Sequence, residues 1–132
     1  MDKEEIFIEG TLCAIVFTIG GNVKKTEFGT DPSSLLQVGQ IAMNPDRPVK
    51  RHRHNPVERD TRGTNEVLVV LDGKLTMELF GDRDEAQVTQ EVSKGQVILL
   101  ISGGHAFNSG EGCSVLEIKN GPYDDMIDKV YF

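Results

Sequence analysis

The chain has 132 residues, enough for one ordinary domain around a single core, and its 38% apolar and 27% charged residues match the composition of globular rather than disordered or membrane-spanning proteins. Its net charge of -7 repels a polyanion and argues against nucleic acid as a main partner. No apolar window is long enough to cross a bilayer, and the acidic start MDKEEIFIEG lacks the basic-then-apolar order of a secretory signal, so the expected location is the cytoplasm, with no membrane partner.

Short apolar or alternating runs cut by turn residues predict an all-β protein. TLCAIVFT is the first expected strand, followed by a turn at GGN, the run VKKTEF and a loop around GTDPSS. LLQVGQIAM reads as the next strand, with Gly39 leaving room for a bulge. Beyond a charged stretch, EVLVVL and LTMELF are expected to form a hairpin, because Asp72 and Gly73 supply the backbone freedom of a tight reversal. In its second arm Leu75, Met77 and Leu79 share one face, with Thr76 and Glu78 on the other. After the loop GDRDEAQ, the runs QVTQEV, QVILLI, HAFN and CSVLEIK complete a series of strands separated by SKG, SGG and SGEG. GPYDDMIDKVYF reads as an extended or turn-rich tail, in which Tyr123 and Tyr131 are packing or contact residues. With no helix of about ten residues, no repeat and no linker, residues 1–132 form a single expected domain. Cys13 and Cys113 stand a hundred residues apart in apolar runs and read as free thiols.

The chemistry concentrates in KRHRHNPVERDTRGTNEVLVVLDG, which holds two of the three histidines, four arginines and the start of an apolar run. His52 and His54 stand at i and i+2, so on a strand both imidazoles project from one face; His105 follows Gly103 and Gly104 in a distant strand. Glu66 opens EVLVVL and is the natural oxygen ligand to set beside them. Three imidazoles and a carboxylate form a mixed nitrogen and oxygen set that suits a divalent transition metal, Mn, Fe, Co, Ni or Zn, without selecting one. The competing reading places His52 and His54 on an exposed strand between Arg51 and Arg53, with His105 a satisfied core residue.

These residues resemble the two-part signature of the cupin superfamily: two histidines one residue apart, a glutamate, six residues and a glycine, then a second glycine, a short strand, a turn, a histidine and an asparagine. Here the parts are His52, His54, Glu66 and Gly73, then Gly95, QVILLISGG, His105 and Asn108. The resemblance covers about residues 36 to 120 and implies an antiparallel double-stranded β-helix, the jelly-roll or cupin barrel, with His52, His54, Glu66 and His105 as metal ligands and Asn108 beside the substrate. The departures are specific. Eleven residues separate His54 from Glu66 where the family has three or four, Ile101 replaces a proline, and Glu58 has the short spacing from His54 without the matching glycine, leaving Glu58 as the alternative to Glu66. The HRH stretch, the strand and turn EVLVVLDG and the tail NGPYDD are also similar to small single-domain cupins associated with cell-surface sugar pathways, which implies a homodimer.

Five of the fourteen basic residues fall between Lys50 and Arg62. Arg51 and Arg53 point away from the histidine face of an expected strand, whereas Arg59 and Arg62 lie in an inserted loop from which guanidinium groups reach a carboxylate or phosphate over the barrel mouth, or else neutralise Asp46, Glu58 and Asp60. The expected function is therefore a metal-binding cupin acting on a small anionic or carbohydrate-derived molecule, as an isomerase or epimerase beside a carbonyl. An iron-dependent dioxygenase and a non-catalytic small-ligand-binding barrel are the alternatives. A metal-free sugar isomerase with His105 as general base is a further one.

Overall fold

The computed structural model describes residues 1–46, 48–124 and 126–132. It is all-β, with every strand pairing antiparallel and no helix among the described residues. Nine strands follow in chain order: β1 (Asp2–Ile8), β2 (Thr11–Thr18), β3 (Glu27–Phe28), β4 (Gly39–Gln40), β5 (Glu66–Phe80), β6 (Val88–Ser93), β7 (Gln96–Leu100), β8 (Gly104–Asn108) and β9 (Cys113–Lys119). Seven of them are joined in the order β1-β2-β7-β5-β6, with β8 and β9 also on β5; β3 and β4 pair separately.

β5 organises the fold. Residues 66–69 lie between β7 and β9, the β9 ladder runs on to Gly73, and residues 76–79 lie between β6 and β8. The expected hairpin at Asp72–Gly73 is thus corrected to one continuous strand of 15 residues. An Asp-Gly pair serves a bulge as well as a reversal, and here the register against β9 shifts between Val70 and Asp72 while Gly73 takes a φ of 78°. A side chain on Gly73 would stand 2.6 Å from the Gly112 carbonyl oxygen, so glycine also permits the close approach of β9.

The bulge changes the phase of burial. Before it the fully buried positions are Leu68 and Val70; after it they are Leu75, Met77 and Leu79. Strict alternation would keep even numbers on one face, so one extra residue restores the apolar side chains to a common interior. That interior unites them with Ile6, Ile8, Ala14, Val16, Val92, Ile98 and Leu100. A second cluster on the opposite face of β2, β5 and β7 holds Ile15, Phe17, Val67, Val97 and Leu99, covered in part by Leu36 and Val38 from the preceding loop. Burial on both faces explains why TLCAIVFT is an unbroken apolar run.

Three other expectations change. β1 goes unread in the opening sequence because its charged residues dominate, although Ile6 and Ile8 alternate into the core. The runs VKKTEF and LLQVGQIAM shrink to the two-residue strands β3 and β4. The stretch carrying His52 and His54 is not a strand: residues 48–62 have no regular structure and are exposed throughout. Pro48 and Pro56 withhold ladder donors, and the apolar residues Val49 and Val57 remain exposed, so neither face has anything to bury. Both cysteines are free thiols, Cys13 buried and Cys113 half-buried. No helix among the described residues is long and apolar enough to cross a membrane.

Candidate functional site

Directly paired residues of antiparallel strands point to the same face. Glu66 pairs with Leu100 on β7 and with Lys119 on β9, so its carboxylate and the Lys119 ammonium share the face that carries Leu68 and the main core. His105 pairs with Leu79, which places its imidazole on the interior side of the other half of β5. Polar side chains from three strands therefore project inward at one end of the molecule.

They also meet. His105 Nε2 lies 3.1 Å from Glu66 Oε2, and Lys119 Nζ lies 3.9 Å from Glu66 Oε1 and 3.4 Å from Glu117 Oε1. The Glu66 side chain is only 8% exposed, so its carboxylate relies on these neighbours rather than on water. Glu66 and Leu79 stand thirteen residues apart on one strand, roughly 40 Å if that strand were straight. The contact between Glu66 and His105, the partner of Leu79, shows that β5 curls.

A cavity of about 870 Å³ opens beside this group, walled by Glu66, His105 and Lys119 and by aromatic rings including Phe80, Phe107 and Tyr123. Lys119 Nζ sits 4.4 Å from the centre of the Tyr123 ring, within reach of its negative face. The His105 and Phe107 rings are stacked with centres 6.4 Å apart. The wall is pinned from behind by two asparagines. Asn65 donates its side-chain amide to the Ile101 carbonyl at 3.0 Å, its backbone N–H donates to Asn120 Oδ1 at 2.8 Å, and Asn120 Nδ2 donates to the Gly63 carbonyl at 3.1 Å. These bonds fix the entry to β5 against the exit of β9, which sets Glu66 beside Lys119.

Of the residues singled out in the sequence, the structure brings together Glu66 and His105. His52 and His54 face each other with ring centres 5.2 Å apart on the exposed arm, where His52 Nδ1 lies 2.8 Å from the Lys50 carbonyl oxygen. Arg59, Arg62 and Glu58 are exposed on the same arm, with Arg62 Nε 3.4 Å from Asp60 Oδ1. Asn108 pairs with Thr76 on the outer face of β5, away from the cavity wall. The donor types of Glu66 and His105 suit a transition metal, but among the described residues no three His, Cys, Asp or Glu side chains converge to hold one. Lys119, Asn65, Asn120 and Tyr123 were not legible as site residues. The alternation Glu117, Lys119 in the last strand is the signal that carried Lys119, since it places both on the face opposite Leu116 and Ile118.

Comparison with protein-family models, curated proteins and solved structures finds no match.

Proposed function

We propose that the protein is a jelly-roll barrel of the cupin type that binds a small anionic or carbohydrate-derived molecule in the inward-facing cavity and acts on it as an isomerase or epimerase. The observation that carries this reading is the meeting of Glu66, His105 and Lys119 on the interior face beside an 870 Å³ cavity. An apolar pocket with a few convergent polar groups is where a small ligand is held and oriented. With His105 Nε2 turned to the Glu66 carboxylate, the other ring nitrogen is free to take a proton from a carbon beside a carbonyl. The Lys119 ammonium then stands near the developing enolate oxygen. After the hydroxyl proton passes to that oxygen, return of the proton by His105 to the neighbouring carbon gives the isomer, while loss of the His105 proton to solvent and protonation from water on the opposite face gives the epimer.

The test is solvent exchange. Keto-sugar phosphates incubated with the protein in deuterated water are expected to gain deuterium at the carbon beside the carbonyl, read by proton NMR. His105→Ala and Glu66→Gln are each expected to slow this by about a hundredfold or more, the range of general acid–base catalysis. Saturable binding without exchange in the wild-type protein would reduce the function to that of a ligand-binding barrel.

A second reading is a metal-dependent one, supported by the Glu66–His105 pair at the cavity and by two further imidazoles on the arm that enters its wall at Gly63 and Thr64. It requires the arm to fold over the cavity so that His52 and His54 join Glu66 and His105. Those four residues would then hold a divalent transition metal, which would supply carbonyl polarisation or, as iron, dioxygenation. Elemental analysis of protein purified without an affinity tag decides this reading: stoichiometric metal that is lost in both His52→Ala and His105→Ala supports it, and metal retained in both variants removes it.

A further inference from the structure

The cavity wall has two parts of different character. β5, β8 and β9 are fixed by ladder hydrogen bonds on a shared strand. The segment Asp128–Phe132, which closes the opposite side, belongs to no strand, and its Val130 and Tyr131 are 84% and 91% exposed. Its base is tied locally, where the Asp128 N–H donates to the Asp124 carbonyl at 2.9 Å. At Phe132, itself 67% exposed, an aromatic contact joins the segment to the strands. The Phe132 ring packs edge-to-face on Phe80 with centres 5.3 Å apart, and it rests where Gly104 has no side chain: a Cβ there would lie 2.7 Å from the ring's Cζ. Gly104 is the residue immediately before His105.

We propose that Asp128–Phe132 is a strap that gates the cavity, hinged at Asp128 and latched by Phe132 against Gly104 and Phe80. The latch is an aromatic contact, weak enough to release at ordinary temperature, and it closes next to the imidazole that the cavity presents. Opening exposes His105 without breaking any strand pairing. The gate's relevance to a ligand rests on the function proposed above; the gating itself is read without any ligand.

Acylation of histidines by diethyl pyrocarbonate, followed residue by residue by mass spectrometry, tests the strap on the full chain. His52 and His54 on the exposed arm serve as references within the same molecule. In the wild-type protein His105 is expected to react more slowly than both. Phe132→Ala is expected to speed His105 roughly two- to tenfold, the factor set by loss of one aromatic pair, with the reference rates unchanged. Phe132→Tyr keeps the ring and the slow rate. Gly104→Ala puts a Cβ against the movable end of Phe132 and is expected to speed His105 with Phe132 in place, while adding nothing in a Phe132→Ala background. A His105 rate unaltered in both Phe132→Ala and Gly104→Ala, or effects of the two that multiply in the double variant, would overturn the proposal. A thermal melt of each variant confirms that the fold persists at the labelling temperature. Because no substrate is used, failure of the strap and failure of the isomerase reading are separate results.

Discussion

Gly103 holds a φ of 79°, and a Cβ on it would collide with the Phe80 carbonyl oxygen, so the chain enters β8 by a route open only to glycine. Gly103→Ala is expected to destabilise the protein by about 2 kcal/mol or more in urea denaturation, combining backbone strain with a clash against main chain that cannot move aside. Asn65, 7% exposed, holds the start of β5 through two hydrogen bonds. Asn65→Ala leaves the Ile101 carbonyl without that donor and is expected to cost about 1–3 kcal/mol, measured in the same way. At the surface, hydrogen bonds from the Ser33 hydroxyl and N–H hold the Asp31 carboxyl below its ordinary value. A lowered carboxylate contributes stability that is present above the unfolded-state value and is lost as pH falls through the lower folded one. Ser33→Ala is expected to move the Asp31 titration, followed by NMR, back upward.

Among the elements, β5 carries both the architecture and the site. Met77→Ala and Leu79→Ala remove fully buried side chains from its second half and are each expected to cost about 2–5 kcal/mol. Most of the strands were legible because apolar runs bounded by glycine and serine have few other ways to hide their side chains, and the alternation of Leu75, Met77 and Leu79 specified a face correctly. The Asp72–Gly73 bulge was not, because the same dipeptide fits a reversal, and only partners on both sides of the strand decide between them. The site divides along the same line. Glu66 and His105 stood out through their places at strand starts and in the motif resemblance, whereas for Lys119 the alternation with Glu117 gives a face and only the cross-strand register supplies its partner. The strand expectation for His52 and His54 rests on their i, i+2 spacing and on the family resemblance, and two prolines outweigh both.

Across the whole molecule, a densely packed set of seven strands carries an exposed arm with five cations and two carboxylates between Lys50 and Arg62. Proteases act on segments that lack buried contacts and ladder hydrogen bonds. Limited trypsin digestion is therefore expected to cut first after Arg51, Arg53, Arg59 or Arg62, leaving two fragments that stay associated, as mass spectrometry and gel filtration would show. The inward polar end and the apolar remainder of the interior depend on opposite halves of one strand, so the extra residue before Gly73 sets both at once. Removing Thr76 alone, beyond the bulge, would turn the Met77 and Leu79 side chains away from the face that Leu75 buries and slip the second half of the strand against β6 and β8. The chain should thus tolerate added or lost residues freely between Pro48 and Arg62 yet reject a single omission between Leu75 and Leu79, a contrast that indel scanning can read directly.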